Sequence, residues 1–263
     1  MKFAHTILIA SQALTFTASQ AVGRFMYSFG DDTRMAFDVY EGGYIALVYD
    51  SRGKPAFIDG TYPLRPTQGR HAYAIAFDSS HDGVHHWYEG VERLTPGGSF
   101  QPEDLETVQY DTGDSLYASF QKERLRFIRV GFELSPGVFE GVDPLAPHIT
   151  LTAIVRYGMI DVDVRCGDRQ TALFTFPLER VEQPYLHFAA NPTGIDSLDE
   201  FQAHVKEVCP EMDVEDIDFS RIVYATPDLV YIPIEETRFA LKRKEFDAIP
   251  VAPPPPPPLT LLN

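Results

Sequence analysis

Short runs of alternating apolar and polar residues, separated by turn residues, constrain this chain more than any other feature of its sequence. Their period of two places successive side chains on opposite faces of a β-strand. The predicted strands are residues 35–40, 44–49, 71–77, 115–120, 125–130, 149–156, 159–165 and 171–176. Gly42-Gly43 and Tyr157-Gly158 have the composition of tight hairpin turns. The pattern predicts a mainly β fold of antiparallel sheets, sandwich- or barrel-like, with a β-rich α+β fold as the alternative.

One segment has helical rather than strand periodicity. Ser197 and Glu200 have the spacing of a capping box at a helix N-terminus. The apolar residues that follow share one helical face and are Leu198, Phe201, Val205 and Val208. Pro210 is typical of a helix end. The sequence therefore predicts a single amphipathic helix between these two signals.

The chain has 2 cysteines, Cys166 and Cys209. In an oxidising compartment an isolated pair most simply forms a disulfide. Cys209 lies on the apolar face of the predicted helix, and Cys166 follows the strand 159–165. A disulfide between them would hold the helix on the sheet.

The first residues have the features of a secretory signal peptide. Lys2 supplies a positive start, residues 7–16 form a mostly apolar run, and small residues stand at Ser19 and Ala21. The run is too short to span a membrane. We expect a signal peptide over residues 1–21 and a secreted, extracellular protein. An amphipathic N-terminal helix of a cytosolic protein is the alternative.

The remaining chain changes character after residue 246. Residues 22–246 predict a single β-rich globular domain, and residues 247–263 predict a flexible, proline-rich tail. The prolines of Pro253–Pro258 form an extended helix that cannot donate to a sheet. Lys242-Arg243, just before this tail, is a candidate processing site in a secreted protein.

The protein is strongly acidic, with a formal net charge of −16. Phosphate backbones and anionic membranes repel such a chain, so we expect no nucleic-acid partner. The short apolar run of residues 7–16 gives no membrane span. A protein partner with a basic face, or a glycan, suits the charge better. The basic residues of 122–129 are expected to form a solvated strand face paired with carboxylates. Nothing in the sequence indicates a cofactor.

Two histidines are candidate catalytic residues. His148 and Thr150 resemble one half of the two-histidine phosphoesterase signature, and strand alternation would place both on one face. The resemblance implies that His71 supplies the second histidine, so that one ring activates a hydroxyl or water and the other protonates the leaving oxygen. The sequence departs from the signature at Tyr73, where a threonine or serine is required.

A second cluster combines histidines with carboxylates. Its candidate metal ligands are His81, Asp82, His85, His86 and Glu89. Imidazole and carboxylate groups at this density are typical ligands of divalent metals. The alternative is a polar loop that leads into a strand containing Trp87 and Tyr88.

Two further motifs stop short of a catalytic set. Gly113–Leu116 resembles the nucleophile block of GDSL esterases, but no Asp-x-x-His follows, so Ser115 is expected to begin a strand. Asp161 and Asp163 share a strand face with Arg165. Paired carboxylates serve glycosidases only where they face each other across a cleft, and a solvated acidic face is the alternative.

The sequence is compatible with three classes of function. The favoured interpretation is a secreted, effector-like microbial protein, of the kind associated with virulence, that binds a host or extracellular partner without catalysis. Delivery into a host cell is a further expectation. The alternative is a secreted hydrolase, either a phosphoesterase using His71 and His148 or a carbohydrate-active enzyme using paired carboxylates. A metal- or glycan-binding module at residues 81–89 is a third interpretation.

Overall fold

Residues 23–130 close an antiparallel β-barrel in the computed structural model. Its strands are β1 (Gly23–Ser28), β2 (Thr33–Tyr40), β3 (Tyr44–Ser51), β4 (Phe57–Pro66), β5 (Ala72–Ile75), β6 (Thr107–Thr112), β7 (Ser115–Phe120) and β8 (Glu123–Val130). Each strand pairs with the next, and β8 pairs with β1, which leaves the ring without an open edge. Helix α1 (Val84–Leu94) lies in sequence between β5 and β6.

Helix α1 is a structure that the strand pattern did not predict. The expected strand at Trp87 and Tyr88 is wrong, because apolar residues recur there at helical spacing. The buried residues of α1 are Trp87, Gly90, Val91 and Leu94. The Trp87 ring contacts Phe37, Tyr62 and Phe77 at centroid distances of 6.2, 5.7 and 4.9 Å. The helix thus completes the apolar core of the first barrel.

The second half of the chain closes a barrel of its own. Its elements are β9 (Gly137–Val142), β10 (Ile149–Arg156), β11 (Met159–Cys166), β12 (Arg169–Gln170), β13 (Phe174–Val181), β14 (His187–Ala190), α2 (Leu198–Val208), β15 (Arg221–Thr226), β16 (Leu229–Ile234) and β17 (Thr237–Arg243). The ring closes through the pairing of β17 with β9, and the short β12 pairs with β11 outside it.

The chain accordingly divides into two compact units, residues 1–130 and 131–263. The structure describes residues 21–77, 83–143, 148–191, 196–234 and 237–244. The signal peptide, except Ala21, and the tail expected from residue 247 lie outside these ranges. A single domain over 22–246 is expected from the sequence, whereas the structure has two units because each barrel encloses its own apolar core. The mainly β, antiparallel, barrel-like fold is confirmed.

The two units repeat one topology. Within the described residues, each has eight ring strands and a helix of 11 residues between the fifth and sixth ring strands. The spacing is also conserved: α2, β15 and β16 begin and end 114 positions after α1, β6 and β7. The strand registers agree, since Ser119 pairs with Arg124 and Pro233 pairs with Arg238.

An arginine on the last strand ties each ring closed through the same contacts, and in the first unit it is buried. In the first unit Arg129 Nε donates to Asp114 Oδ1 at 2.8 Å, and Nη1 donates to the Val22 carbonyl at 2.7 Å. The guanidinium carbon lies 4.6 Å from the centre of the Phe25 ring. Strand β8, which carries Arg129, is thereby joined to the β6–β7 turn at Asp114 and to Val22, the residue before β1.

Arg243 makes the corresponding contacts in the second unit. Its Nε donates to Asp228 Oδ1 at 2.9 Å, and its Nη1 donates to the Pro136 carbonyl at 2.7 Å. Its guanidinium carbon lies 4.7 Å from the centre of the Phe139 ring. Every partner in this set stands 114 positions after its counterpart in the first unit. The repeat therefore extends from topology to individual side-chain contacts.

Helix α2 and the disulfide agree with the sequence prediction. Ser197 is the N-cap, and its Oγ accepts from the Glu200 N–H at 3.1 Å. Cys166 and Cys209 are bonded, with their Cα atoms 5.6 Å apart. In the first unit the position of Cys209 is held by Thr95, whose Oγ1 accepts from the Tyr49 hydroxyl at 3.0 Å. Both helices are thus tied to their barrels at the C-terminal end.

Candidate functional site

The two candidate catalytic histidines belong to different units. His71 precedes β5 and His148 precedes β10, and both rings are exposed. Both residues have a positive φ, 55° and 58°, so neither continues the strand that follows it. The expected strand 71–77 is correspondingly shortened to β5. His148 therefore does not share the strand face of Thr150, which is buried, and that part of the phosphoesterase expectation is wrong.

His71 has a local hydrogen bond that bears on its chemistry. Arg70 Nε donates to His71 Nε2 at 3.2 Å. This bond occupies the lone pair that a general base would need at that nitrogen.

The histidine and carboxylate cluster is dispersed along α1. His81 and Asp82 lie outside the described residues. His85 and Glu89 are four residues apart on the helix, and His86 Nε2 lies 3.9 Å from Asp59 Oδ1. Within the described part of the chain, no three histidine, cysteine, aspartate or glutamate side chains converge as metal ligands.

The serine of the GDSL-like sequence has a structural role. Ser115 begins β7, as expected, and is buried. Its Oγ lies 3.0 Å from Thr112 Oγ1 and 3.3 Å from Asp111 Oδ2. Asp114 of the same turn pairs with Arg129. These contacts hold the β6–β7 turn and the ring closure.

The paired aspartates of β11 are also engaged. Asp161 is buried, accepts from Thr175 Oγ1 at 2.7 Å, and forms an ion pair with Arg156 at 2.7 Å. Burial raises the pKa of the Asp163 carboxyl above its ordinary value, while a hydrogen bond from Gln170 opposes the shift. The arrangement is a polar strand face rather than two free carboxylates.

The processing candidate Lys242-Arg243 lies within β17. Arg243 is held by Asp228 and by backbone carbonyls, and its N–H donates to the Asp228 carbonyl at 2.8 Å. A protease that cleaves after Arg243 would have to release these contacts first.

One open pocket lies on the outer face of the first barrel. It is lined by Arg70, His71, Gln109, Tyr110, Asp111, Tyr117 and Arg124 and has a volume of about 360 Å³. We call this set the arginine pocket. It forms where the loop before β5 borders the outward-facing side chains of β6, β7 and β8. Among its lining residues, sequence reasoning singled out His71 alone as a candidate site residue.

The arginine pocket is locally cationic. Arg124 Nη2 donates to the neutral Gln109 Oε1 at 2.8 Å, and its guanidinium carbon lies 4.2 Å from the centre of the Tyr117 ring. The single carboxylate of the lining, Asp111, forms an ion pair with Arg126 at 3.1 Å. The pairing of this strand face with carboxylates, expected from the sequence, thus holds for Arg126, whereas Arg124 bonds to a neutral amide.

The corresponding surface of the second unit has a different character. Strand register places Val223, Ala225, Tyr231 and Arg238 at the positions of Gln109, Asp111, Tyr117 and Arg124. Tyr73 and Phe188 are equivalent because they pair with Val108 and Ile222, and counting back from them along the chain matches Arg70 and His71 with Tyr185 and Leu186. Tyr117 and Arg124 recur as Tyr231 and Arg238. The polar residues Arg70, His71 and Gln109 are replaced by Tyr185, Leu186 and Val223. The polar lining is specific to the first unit.

No family model and no curated protein matches this chain. Among solved structures, the DNA polymerase III beta chain of Streptococcus pneumoniae TIGR4 is similar at a TM-score of 0.15 and 7% identity, covering 87% of this chain and 58% of that one. The DNA polymerase sliding clamp of Caulobacter crescentus gives a TM-score of 0.14 and 8% identity, with coverage of 87% and 60%. The chain spans less than two thirds of the length of either protein.

Among the described residues, neither helix has the length and the apolar composition that crossing a membrane requires.

Proposed function

We propose that the chain is a secreted interaction protein that binds an extracellular partner without catalysis, and that the arginine pocket of the first unit belongs to its binding surface. The observation that carries the proposal is the pocket itself, a cationic, tyrosine-lined depression on a chain with a net charge of −16. The disulfide supports an oxidising compartment, because such bonds persist mainly in secreted proteins.

The residues with catalytic resemblance support binding over turnover. Ser115 and Asp161 are both buried. Ser115 donates a hydrogen bond to Asp111, and Asp161 forms an ion pair with Arg156. His71 Nε2 accepts a hydrogen bond from Arg70 Nε. A general base needs a lone pair directed at the substrate, and a nucleophilic serine needs a base beside it. The arginine pocket instead offers positive charge and aromatic rings, which recognise a partner without reacting with it.

The test is binding of the purified protein to an array of extracellular glycans and matrix proteins, at low and at physiological salt. We expect a retained partner whose signal falls with salt and is lost in the double variant R70A/R124A. The matched control is R238A, which removes the corresponding arginine of the second unit and should keep the signal. Both variants are checked for an unchanged melting temperature.

The material eluted from the protein decides between binding and turnover. Mass spectrometry should return the partner chemically unchanged. Cleaved partner, with cleavage abolished in H71A, would show a hydrolase instead. Equal retention by the wild type and R70A/R124A would remove the arginine pocket from the binding surface.

A further inference from the structure

We propose that the arginine pocket is a binding site for the oxyanion of a small acidic sugar, a carboxylate or sulfate group carried on a polar ring. The inference rests on the proposed function and specifies the chemistry of the ligand. The first observation is charge, because the pocket places two arginines against one carboxylate that is already paired with Arg126. On a chain of net charge −16, this concentrates positive potential at one place.

The geometry of Arg124 favours an oxyanion over a neutral group. Its planar guanidinium carries five N–H donors, and the Tyr117 ring and the Gln109 amide fix its orientation. A guanidinium held in this way loses little side-chain entropy on binding and can donate two parallel hydrogen bonds to a carboxylate or sulfate. Arg70, oriented through its bond to His71, brings a second guanidinium to the same pocket.

The size and the lining favour a sugar as the carrier of the anion. A volume of about 360 Å³ is at the lower end of small-ligand pockets, which begin at roughly 300 Å³. Tyr110 and Tyr117 add aromatic surface, and Gln109 adds an amide that both donates and accepts hydrogen bonds. The overall negative charge opposes an extended polyanion such as a nucleic acid, because only the group inside the pocket meets positive potential.

The second unit identifies the residues that set specificity. It keeps Tyr231 and Arg238 at the positions of Tyr117 and Arg124, so the repeated barrel by itself accounts for a tyrosine and an arginine on this face. Leu186 and Val223 stand in place of His71 and Gln109, which removes the polar groups around that arginine. Arg70, His71 and Gln109 are therefore the residues that make this face of the first unit a binding face, whereas the same face of the second unit is structural.

The test is calorimetric titration of the full chain with two anionic probes, a galacturonic acid trisaccharide and a sulfated disaccharide. Their controls are the methyl-esterified trisaccharide and the desulfated disaccharide. We expect at least one anionic probe to bind at least tenfold more tightly than its neutral control. The probe that binds distinguishes carboxylate from sulfate as the group recognised. Affinity should decrease as salt is raised.

Two substitutions complete the test. R124Q should weaken binding of the anionic probe at least tenfold, and R238Q, its counterpart in the second unit, should leave it unchanged. Equal binding of a neutral control, no binding of either anionic probe, or full affinity in R124Q would overturn the inference. If the wild type retained a neutral glycan on the array and R70A/R124A did not, the proposed function would hold and only the inference of an oxyanion ligand would fail.

Discussion

At the residue scale, Arg129 and Arg243 make the same contacts in the two units, but the Arg129 ion pair is buried and the Arg243 ion pair is partly exposed. The Arg129 side chain is fully buried and that of Asp114 is 5% exposed, whereas Asp228, the partner of Arg243, is 75% exposed. A buried ion pair costs desolvation on both sides, so its loss is serious mainly when one charge is left behind unpaired. The same hydrogen bonds therefore differ in what they contribute to stability.

We predict that R129Q destabilises the protein by about 3–5 kcal/mol, because Asp114 would keep a buried charge without its partner. R243Q should cost less than half as much, since water solvates Asp228. Urea denaturation measures the free energy of unfolding of both variants and of the wild type. Trp87, the single tryptophan of the chain, reports on the first unit by fluorescence, and circular dichroism follows both units. Equal losses in the two variants would contradict this account of burial.

Tyr88 provides a second prediction at this scale. Burial, reinforced by the carboxylates of Glu106 and Asp104, raises the pKa of the Tyr88 hydroxyl to about 12. The unfolded chain loses this proton near pH 10. The neutral hydroxyl therefore contributes stability that is complete below about pH 10 and is lost as the pH rises towards 12.

The measurement is the free energy of unfolding between pH 9 and 12 for the wild type and Y88F. Y88F loses the hydrogen bond to the Asp104 carbonyl and is less stable at pH 9, but its stability should fall less steeply above pH 10. Y157F alters a ring that is 96% exposed and is the control, expected to parallel the wild type. Parallel curves for the wild type and Y88F would refute the assignment.

At the element scale, sequence patterns predicted some elements and missed others for physical reasons. Helix α2 was predictable because Ser197 and Glu200 form a capping box before an apolar stripe. Helix α1 has Gly83 as its N-cap and no side-chain cap bond, and its Trp87 and Tyr88 favour strands. Strands β7 and β10 match their predicted bounds, whereas β14 is a short four-residue strand with little pattern to detect.

The arginine pocket was not predictable from local sequence. Its residues come from the loop before β5 and from β6, β7 and β8, so their proximity depends on strand pairing. The repeat, by contrast, leaves a signal in the sequence. The recurring residues, each at a spacing of 114, are Tyr110 and Tyr224, Thr112 and Thr226, Asp114 and Asp228, Tyr117 and Tyr231, Arg124 and Arg238, and Arg129 and Arg243. These six identities at one spacing are the trace that the repeat leaves in the sequence.

The repeat predicts a disulfide that the first unit lacks. Ser51 and Thr95 occupy the positions of Cys166 and Cys209, since Thr33 pairs with Ser51 as Ile149 pairs with Cys166. We expect S51C/T95C to form a second disulfide without reductant and to raise the melting temperature of the first unit. Thiol titration and Trp87 fluorescence measure the two effects. T95V, which removes only the Tyr49 hydrogen bond, is the control and should lower that temperature. Free thiols in the oxidised double variant would argue against the equivalence.

At the scale of the whole molecule, the chain consists of two copies of one barrel with different surfaces. The shared parts are the ring order, the helix after the fifth ring strand and the arginine closure. The differing parts are the disulfide of the second unit and the polar lining of the arginine pocket in the first. We attribute folding to the features that the two units share and function to the features in which they differ.

An experimentally determined structure tests the repeat most directly, by superposing the ring of β1–β8 on that of the second unit. The account predicts the same strand order in both, with β8 paired to β1, β17 paired to β9, and Arg129 and Arg243 in superimposable contacts with Asp114 and Asp228. A different strand order in either ring, or Arg243 turned away from Asp228, would contradict the claim that one barrel occurs twice.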